Sequence, residues 1–355
     1  MRMNELSWAT AAALTFSLSG CGGSGSGSGA AISVPMAGPM DAANASKQPL
    51  AASLPVTWQL VAGAASANQA FQGLDFYPSA ITIDAGDSIT WTSGTEEPHT
   101  ITFLGPRKSL PPPNDPSAPL PAGGSTYDGS VYTSSGFIFK GQRYTLKFTK
   151  SGVYPFFCII HPPEMAGVVT VHAAGDPYPQ TQAQITELGT AQADADVLTA
   201  DTSIRKFPFE SGGLHVAAGF GPTGSSAQSS LRTEFLVGPA GAATVSTSTV
   251  LRFINTPTLK DTMAAHLRDT MVFTNLSANE PHTVTFTKGG APPPPSLSPF
   301  APPSGGNTVD GTKLVNSGPL FPGQSFKVTF TKTGTFTYYC LFHDGEGMIA
   351  KVSVH

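Results

Sequence analysis

Two short stretches carry residues able to do chemistry. One is Phe157-Cys158-Ile159-Ile160-His161-Pro162-Pro163-Glu164-Met165; the other is Tyr339-Cys340-Leu341-Phe342-His343-Asp344-Gly345-Glu346-Gly347-Met348. Each sets a thiolate, an imidazole and a thioether within one tight loop. Soft sulfur beside imidazole suits copper best, and two His, one Cys and a weak axial Met describe an electron-transfer site of the blue type. Each loop supplies one His, so a second imidazole must come from elsewhere. Pro98-His99-Thr100 and Pro281-His282-Thr283 stand at matching distances: His99 precedes Cys158 by 59 residues, and His282 precedes Cys340 by 58. Two rival readings are weaker. A buried Cys is commonly an inert small hydrophobe, and zinc sites favour Cys and His without thioether.

On these residues the chain resembles the cupredoxins, the plastocyanin, azurin and amicyanin group of blue copper proteins, over residues 51–174 and 211–355. The resemblance implies a first site of His99, Cys158, His161 and Met165, and a second of His282, Cys340, His343 and Met348. It implies two type 1 coppers, one per domain, each cycling between Cu(I) and Cu(II). The implied role is an electron carrier and not an enzyme, with redox partners such as cytochromes or a terminal reductase or oxidase. Three residues separate His161 from Met165 and four separate His343 from Met348, so equal potentials are not expected. Family members often place Asn or Ser after the upstream His to hold the loop; here Thr100 and Thr283 keep a hydroxyl. In the family the loop His lies nearest the surface, in an apolar docking patch. Ile159, Ile160, Pro162 and Pro163 suit that patch in the first domain, and Leu341 and Phe342 in the second.

Strands must position these loops. Thr57–Val61, Ala80–Asp84 and Ser88–Thr92 alternate polar and apolar residues, as half-buried strands do. Asp84-Ala85-Gly86-Asp87 has turn chemistry between two of them. His99–Phe103 is expected as a strand with His99 at its end, facing the loop. In the second half Leu214–Gly219, Thr244–Phe253 and Thr270–Thr274 read as strands. The expected fold is all-β: two Greek-key sandwiches, at 56–174 and 211–355. A linker at 175–210 has room for one short helix around Gln184–Leu188 and Ala193–Leu198.

Composition narrows the function class. Across 355 residues the net charge is −4 and charged residues are 12%, so no nucleic-acid or polybasic membrane surface is indicated. With 38 Gly and 32 Pro, turns and long connections are frequent. Two of the three Cys are spoken for, leaving Cys21 and no intramolecular disulfide. Residues 1–21 read as an export signal whose Leu18-Ser19-Gly20-Cys21 ending looks like a bacterial lipobox, with Cys21 lipidated. Residues 22–55 read as a tether, Gly/Ser-rich at its start. The expectation is a periplasmic or outer-surface protein, bound to the membrane through a lipid anchor only.

Pro111–Pro113 and Pro292–Pro295 open stiff loops in the two halves, readable as plain surface or as docking surface beside the metal. His172 and His355 each follow their Met by seven residues. They read as exposed strand ends, or more sharply as type 2 copper ligands at an interface. Two other functions stay open. A two-domain copper oxidase or nitrite reductase would carry additional copper, but the chain has no His-x-His pair and neither Cys158 nor Cys340 is followed by His. A copper-sequestering protein would bind Cu(I) without exchanging electrons.

Overall fold

The computed structural model describes residues 54–111, 117, 119–161, 165–206, 215–220, 248–254, 259, 262–277 and 280–355. The export signal with Cys21, nearly all of the tether, Pro112, Pro113, Pro162, Pro163 and Thr244 lie outside them.

Successive side chains leave opposite faces of a strand, so alternation becomes strand wherever one face is buried. In β1 (Thr57–Ala65) Trp58 and Leu60 are buried while Thr57 and Gln59 are exposed. The first half continues with β2 (Phe71–Tyr77), β3 (Ala80–Asp84), β4 (Ser88–Ser93), β5 (Thr102–Phe103) and β6 (Thr126–Tyr127). It closes with β7 (Thr133–Ser134), β8 (Arg143–Phe148), β9 (Gly152–Phe157) and β10 (Ala166–His172). After helix α1 (Gln182–Lys206) the series repeats, opening with β11 (His215–Phe220), β12 (Ser248–Ile254), β13 (Thr262–Ala265), β14 (Thr270–Leu276) and β15 (Thr285–Phe286). It ends with β16 (Thr308–Val309), β17 (Val315–Asn316), β18 (Ser325–Phe330), β19 (Gly334–Tyr339) and β20 (Ile349–Val354).

Each half is a two-layer sandwich. In the first, β2-β1-β4-β8-β6 faces β3-β10-β9-β5-β7; in the second, β12-β11-β14-β18-β16 faces β13-β20-β19-β15-β17. Between the layers of the first, Phe103, Phe156 and Trp91 interlock, with ring centroids 5.3–6.1 Å apart. Phe273, Phe286 and Tyr338 do the same in the second at 5.0–6.2 Å. Truncating one such ring to Ala costs about 3–5 kcal/mol. Cys158 and Met165 belong to the first core and Cys340 and Met348 to the second, so the sulfur atoms sit in rigid surroundings.

The halves share a sheet. β2 and β12 pair antiparallel, with Gly73 opposite Ser248 and Phe71 opposite Val250, giving one ten-stranded sheet. The linker helix is present and spans both expected segments in one run of 25 residues. A capping box starts it: Gln184 N–H donates to Thr181 Oγ1, and Thr181 N–H to Gln184 Oε1. Ile185 packs into the first core, whereas Ala200 and Ile204 pack on Ala217, Val250 and Ile254 of the second half. Asp196 accepts from Tyr77 through its side chain and from Ser248 through its carbonyl, both at 2.8 Å. The helix thereby straps the joint between β2 and β12. No helix among the described residues is long and apolar enough to cross a membrane.

Candidate metal centres

The expected strand at His99–Phe103 is shorter than its alternation suggests. His99 forms a bridge with Ile138, and ladder pairing resumes only at Thr102. The N–H groups between are taken by side chains: Thr100 N–H donates to Cys158 Sγ at 3.3 Å and Ile101 N–H to Ser135 Oγ at 2.9 Å. The second half repeats this, with Thr283 N–H on Cys340 Sγ at 3.4 Å and Val284 N–H on Ser317 Oγ at 2.8 Å. Diverting one backbone donor to sulfur and the next to a serine hydroxyl interrupts the sheet ladder and places each upstream His beside its Cys.

Thr100 and Thr283 hold the loops, as their hydroxyls suggested. Thr100 Oγ1 accepts from Ile159 N–H at 2.9 Å, and Thr283 Oγ1 from Leu341 N–H at 2.7 Å. Each loop closes on itself, Met165 N–H donating to His161 O and Met348 N–H to His343 O. Met165 and Met348 are fully buried. The longer second loop needs Gly347, whose φ of +85° is a left-handed conformation that other residues resist.

The donor atoms converge. His99, Cys158 and His161 each offer one ligand atom within 4.8 Å of the others, and so do His282, Cys340 and His343. Cys340 Sγ lies 3.6 Å from His282 Nδ1 and 3.4 Å from His343 Nδ1, and those nitrogens are 3.0 Å apart. The residues fit a metal. Thr95 Oγ1 donates to Glu97 O, so at 2.7 Å it must accept from His99 Nε2–H. The Nδ1 lone pair then faces the cluster, and this buried atom has no hydrogen-bond partner. Ser277 Oγ stands at the equivalent place, 2.5 Å from His282 Nε2. Burial alone would push the Cys158 thiol up, but His161 beside it, with His99, holds it well below the usual thiol range. A thiolate is the form that ligates.

The loop His residues depart from expectation. His161 and His343 are only 4% and 3% exposed, and Ile159 is fully buried. Pro162 and Pro163 lie outside the described residues, and Ile160, Leu341 and Phe342 are half-buried. The cause is the shared sheet, which turns the two loops toward each other. His161 Nε2 donates to Glu97 Oε1 at 3.1 Å, and His343 Nε2 lies 3.3 Å from that same oxygen. Glu280 Oε2 stands 3.2 Å from His343 Nε2. Burial would raise the Glu97 carboxyl, but His161 and His343 drive it well below its ordinary value.

Sequence reasoning missed Thr95, Ser277, Glu97 and Glu280. Repetition could have found the acids: Glu-Pro-His occurs as Glu97-Pro98-His99 and as Glu280-Pro281-His282. His172 ends β10 opposite Asp84, His355 follows β20, and both are exposed and apart from the three clusters of metal-ligating groups among the described residues.

Comparison with known proteins agrees with this geometry. The profile of copper binding proteins, plastocyanin/azurin family, matches residues 63–172 and 245–355, more than half of the chain. Chloroplastic plastocyanin of Tetradesmus obliquus is 32% identical over 96 residues, 27% of this chain and 55% of that protein, so the match takes in about half of its length. Plastocyanin of Scenedesmus fuscus is 30% identical over 99 residues, 28% of this chain and 87% of that protein. Among solved structures, a Cu(I) amicyanin variant is 21% identical, with 33% of this chain and 82% of that one covered and a TM-score of 0.22. With a family region in each half, each containing a His2Cys cluster, the chain belongs to the copper binding proteins of the plastocyanin/azurin family.

Proposed function

We propose that this protein is an exported electron carrier with two type 1 copper centres, one in each sandwich. The convergence of an unpartnered imidazole nitrogen, a depressed thiol and a second imidazole within the first core carries this reading. His99, Cys158, His161 and Met165 would hold one ion, and His282, Cys340, His343 and Met348 the other. Copper held there supplies a one-electron Cu(I)/Cu(II) couple. The chain's own work is to keep its donors still in both states. Thr95 and Ser277 fix the upstream rings, Thr100 and Thr283 pin the loops, and the aromatic cores block rearrangement. Such outer contacts orient metal ligands and tune the ion. Cytochromes or a terminal reductase or oxidase are the proposed partners, and lipidated Cys21 the proposed anchor at the periplasmic or outer surface.

Metal analysis with visible and EPR spectra of the purified protein tests the proposal. Two coppers per chain, both with intense thiolate-to-copper colour and both reduced by a cytochrome in stopped-flow mixing, are expected. A colourless copper-loaded protein overturns it. A third copper without thiolate colour points to an enzyme, and tight Cu(I) without electron exchange points to sequestration.

A further inference from the structure

The two metal clusters are not independent. From Cys158 a line of contacts runs to Cys340 through three side chains. Cys158 Sγ is 3.6 Å from His161 Nδ1, His161 Nε2 is 3.1 Å from Glu97 Oε1, Glu97 Oε1 is 3.3 Å from His343 Nε2, and His343 Nδ1 is 3.4 Å from Cys340 Sγ. One oxygen of one carboxylate meets both loop imidazoles. A carboxylate only accepts, so each proton stays on Nε2 and each Nδ1 is left for its own centre.

We infer that Glu97 is a bridge for direct electron exchange between the two centres, making the protein a coupled two-electron unit and not two separate carriers. The inference rests on the two-copper reading above. The exchange is balanced within the chain: one centre loses an electron and is oxidised, the other gains it and is reduced. No bond breaks, and the Nε2 protons remain in place. Three observations favour this use. His161 and His343, 4% and 3% exposed, have little surface to offer an outside partner. Glu97 is itself 5% exposed, so the bridge is buried and its contacts are strengthened by the low dielectric. The two sandwiches are joined where β2 pairs with β12 and α1 straps both, which holds the two ends of the path at a fixed separation.

Glu280 is the internal control. Its Oε2 reaches His343 Nε2 at 3.2 Å, so that nitrogen divides its contact between Glu280 and Glu97. Glu280 lies within 4.8 Å of the His161 and Glu97 ligand atoms but, among the described residues, forms no ion pair with His161 and carries no oxygen shared by the two imidazoles. Losing Glu280 should therefore leave the bridge standing, whereas losing Glu97 should cut it.

The test delivers less than one electron per chain to the oxidised, copper-loaded full-length protein by pulse radiolysis. Redistribution between the centres is followed by their separate thiolate bands or EPR signals. The wild type should re-equilibrate at a rate independent of protein concentration. Glu97→Ala should slow that rate at least ~10-fold, the factor that ~1.4 kcal/mol of barrier carries, and Glu280→Ala should not. Should Glu97→Ala lose copper, Glu97→Gln keeps the shape with a neutral acceptor, and a smaller slowing is expected. In the Cu(I) protein, NMR should show the His161 and His343 Nε2 protons protected from exchange, with protection of the His161 proton lost in the Glu97 variant. A concentration-dependent rate in the wild type, an unchanged rate without Glu97, or unprotected Nε2 protons overturns the inference. Failure of the carrier reading looks different: one thiolate band, or none, at loading.

Discussion

Gly63 lies so close beneath His99 that a β-carbon on it would fall 2.2 Å from Nε2, and Gly219 stands in the same relation to His282 at 2.1 Å. Both glycines have φ of +73°. Each sits in the bulged first strand of its sandwich, where the register shifts against its neighbour. The bulge and the missing side chain together make the seat for the upstream ligand.

Substituting Gly63→Ala should therefore damage the first centre and spare the second. The left-handed backbone alone costs roughly 1–2 kcal/mol for a residue with a β-carbon, and the ring must also move. Copper analysis should show one ion in place of two, with the remaining thiolate band assignable to Cys340. Retention of both bands at wild-type intensity would contradict the seat.

Thr95→Val keeps the shape of the side chain and deletes the acceptor for His99 Nε2–H. The ring can then take its other tautomer or turn, so Nδ1 no longer faces the cluster by default. Loss of such an outer partner typically costs about 10–100-fold in metal affinity. A copper titration should show the first centre weakened within that range and the second unchanged. Ser277→Ala should do the reverse.

The ligand set was legible because its residue types are chemically specific and occur twice at almost equal spacing. The strand at Thr57–Val61 was legible because one face is buried and the other is wet; Ser88–Thr92 was legible from its alternating residue types, although Thr90 is buried as well. Two features were not. The break in the strand after His99 depends on Thr100 and Ile101 giving their N–H groups to Cys158 and Ser135, partners far away along the chain. The burial of His161 and His343 depends on β2 meeting β12, an edge-to-edge pairing that no local period encodes. Glu97 fell in the gap: it is the second acid of Glu96-Glu97-Pro98, with nothing local to set it apart, and only its recurrence as Glu280 before Pro281-His282 marks it.

Cys158→Ser and Cys340→Ser should each remove one thiolate-to-copper band, roughly half of the visible intensity when both centres are filled. Each hydroxyl leaves a harder donor that copper's thiolate-type site does not suit. Since the loops differ by one residue between His and Met, the surviving bands should differ in position and in redox midpoint. Superimposable spectra from the two variants would show that loop length does not tune these centres.

Glu346 supplies the pH test, best read on metal-free protein. Burial pushes its carboxyl up to about 7; His343 opposes this, and Glu97 and Glu280 add to it. The ordinary carboxyl value is 4.5, so between about 4.5 and 7 the folded chain binds a proton that the unfolded chain has released. Stability from this group is therefore complete below the lower value and declines as pH rises through the upper one. The full shift corresponds to about 3 kcal/mol. Glu346→Gln imitates the protonated form at every pH. Denaturant melts should show the variant gaining on the wild type by up to that amount from pH 4.5 to pH 8, with little difference at the acid end. Parallel pH profiles would mean that the carboxylate is compensated when charged, with Arg252, whose Nη1 donates to the Glu346 backbone O at 2.8 Å, as the neighbouring cation to test.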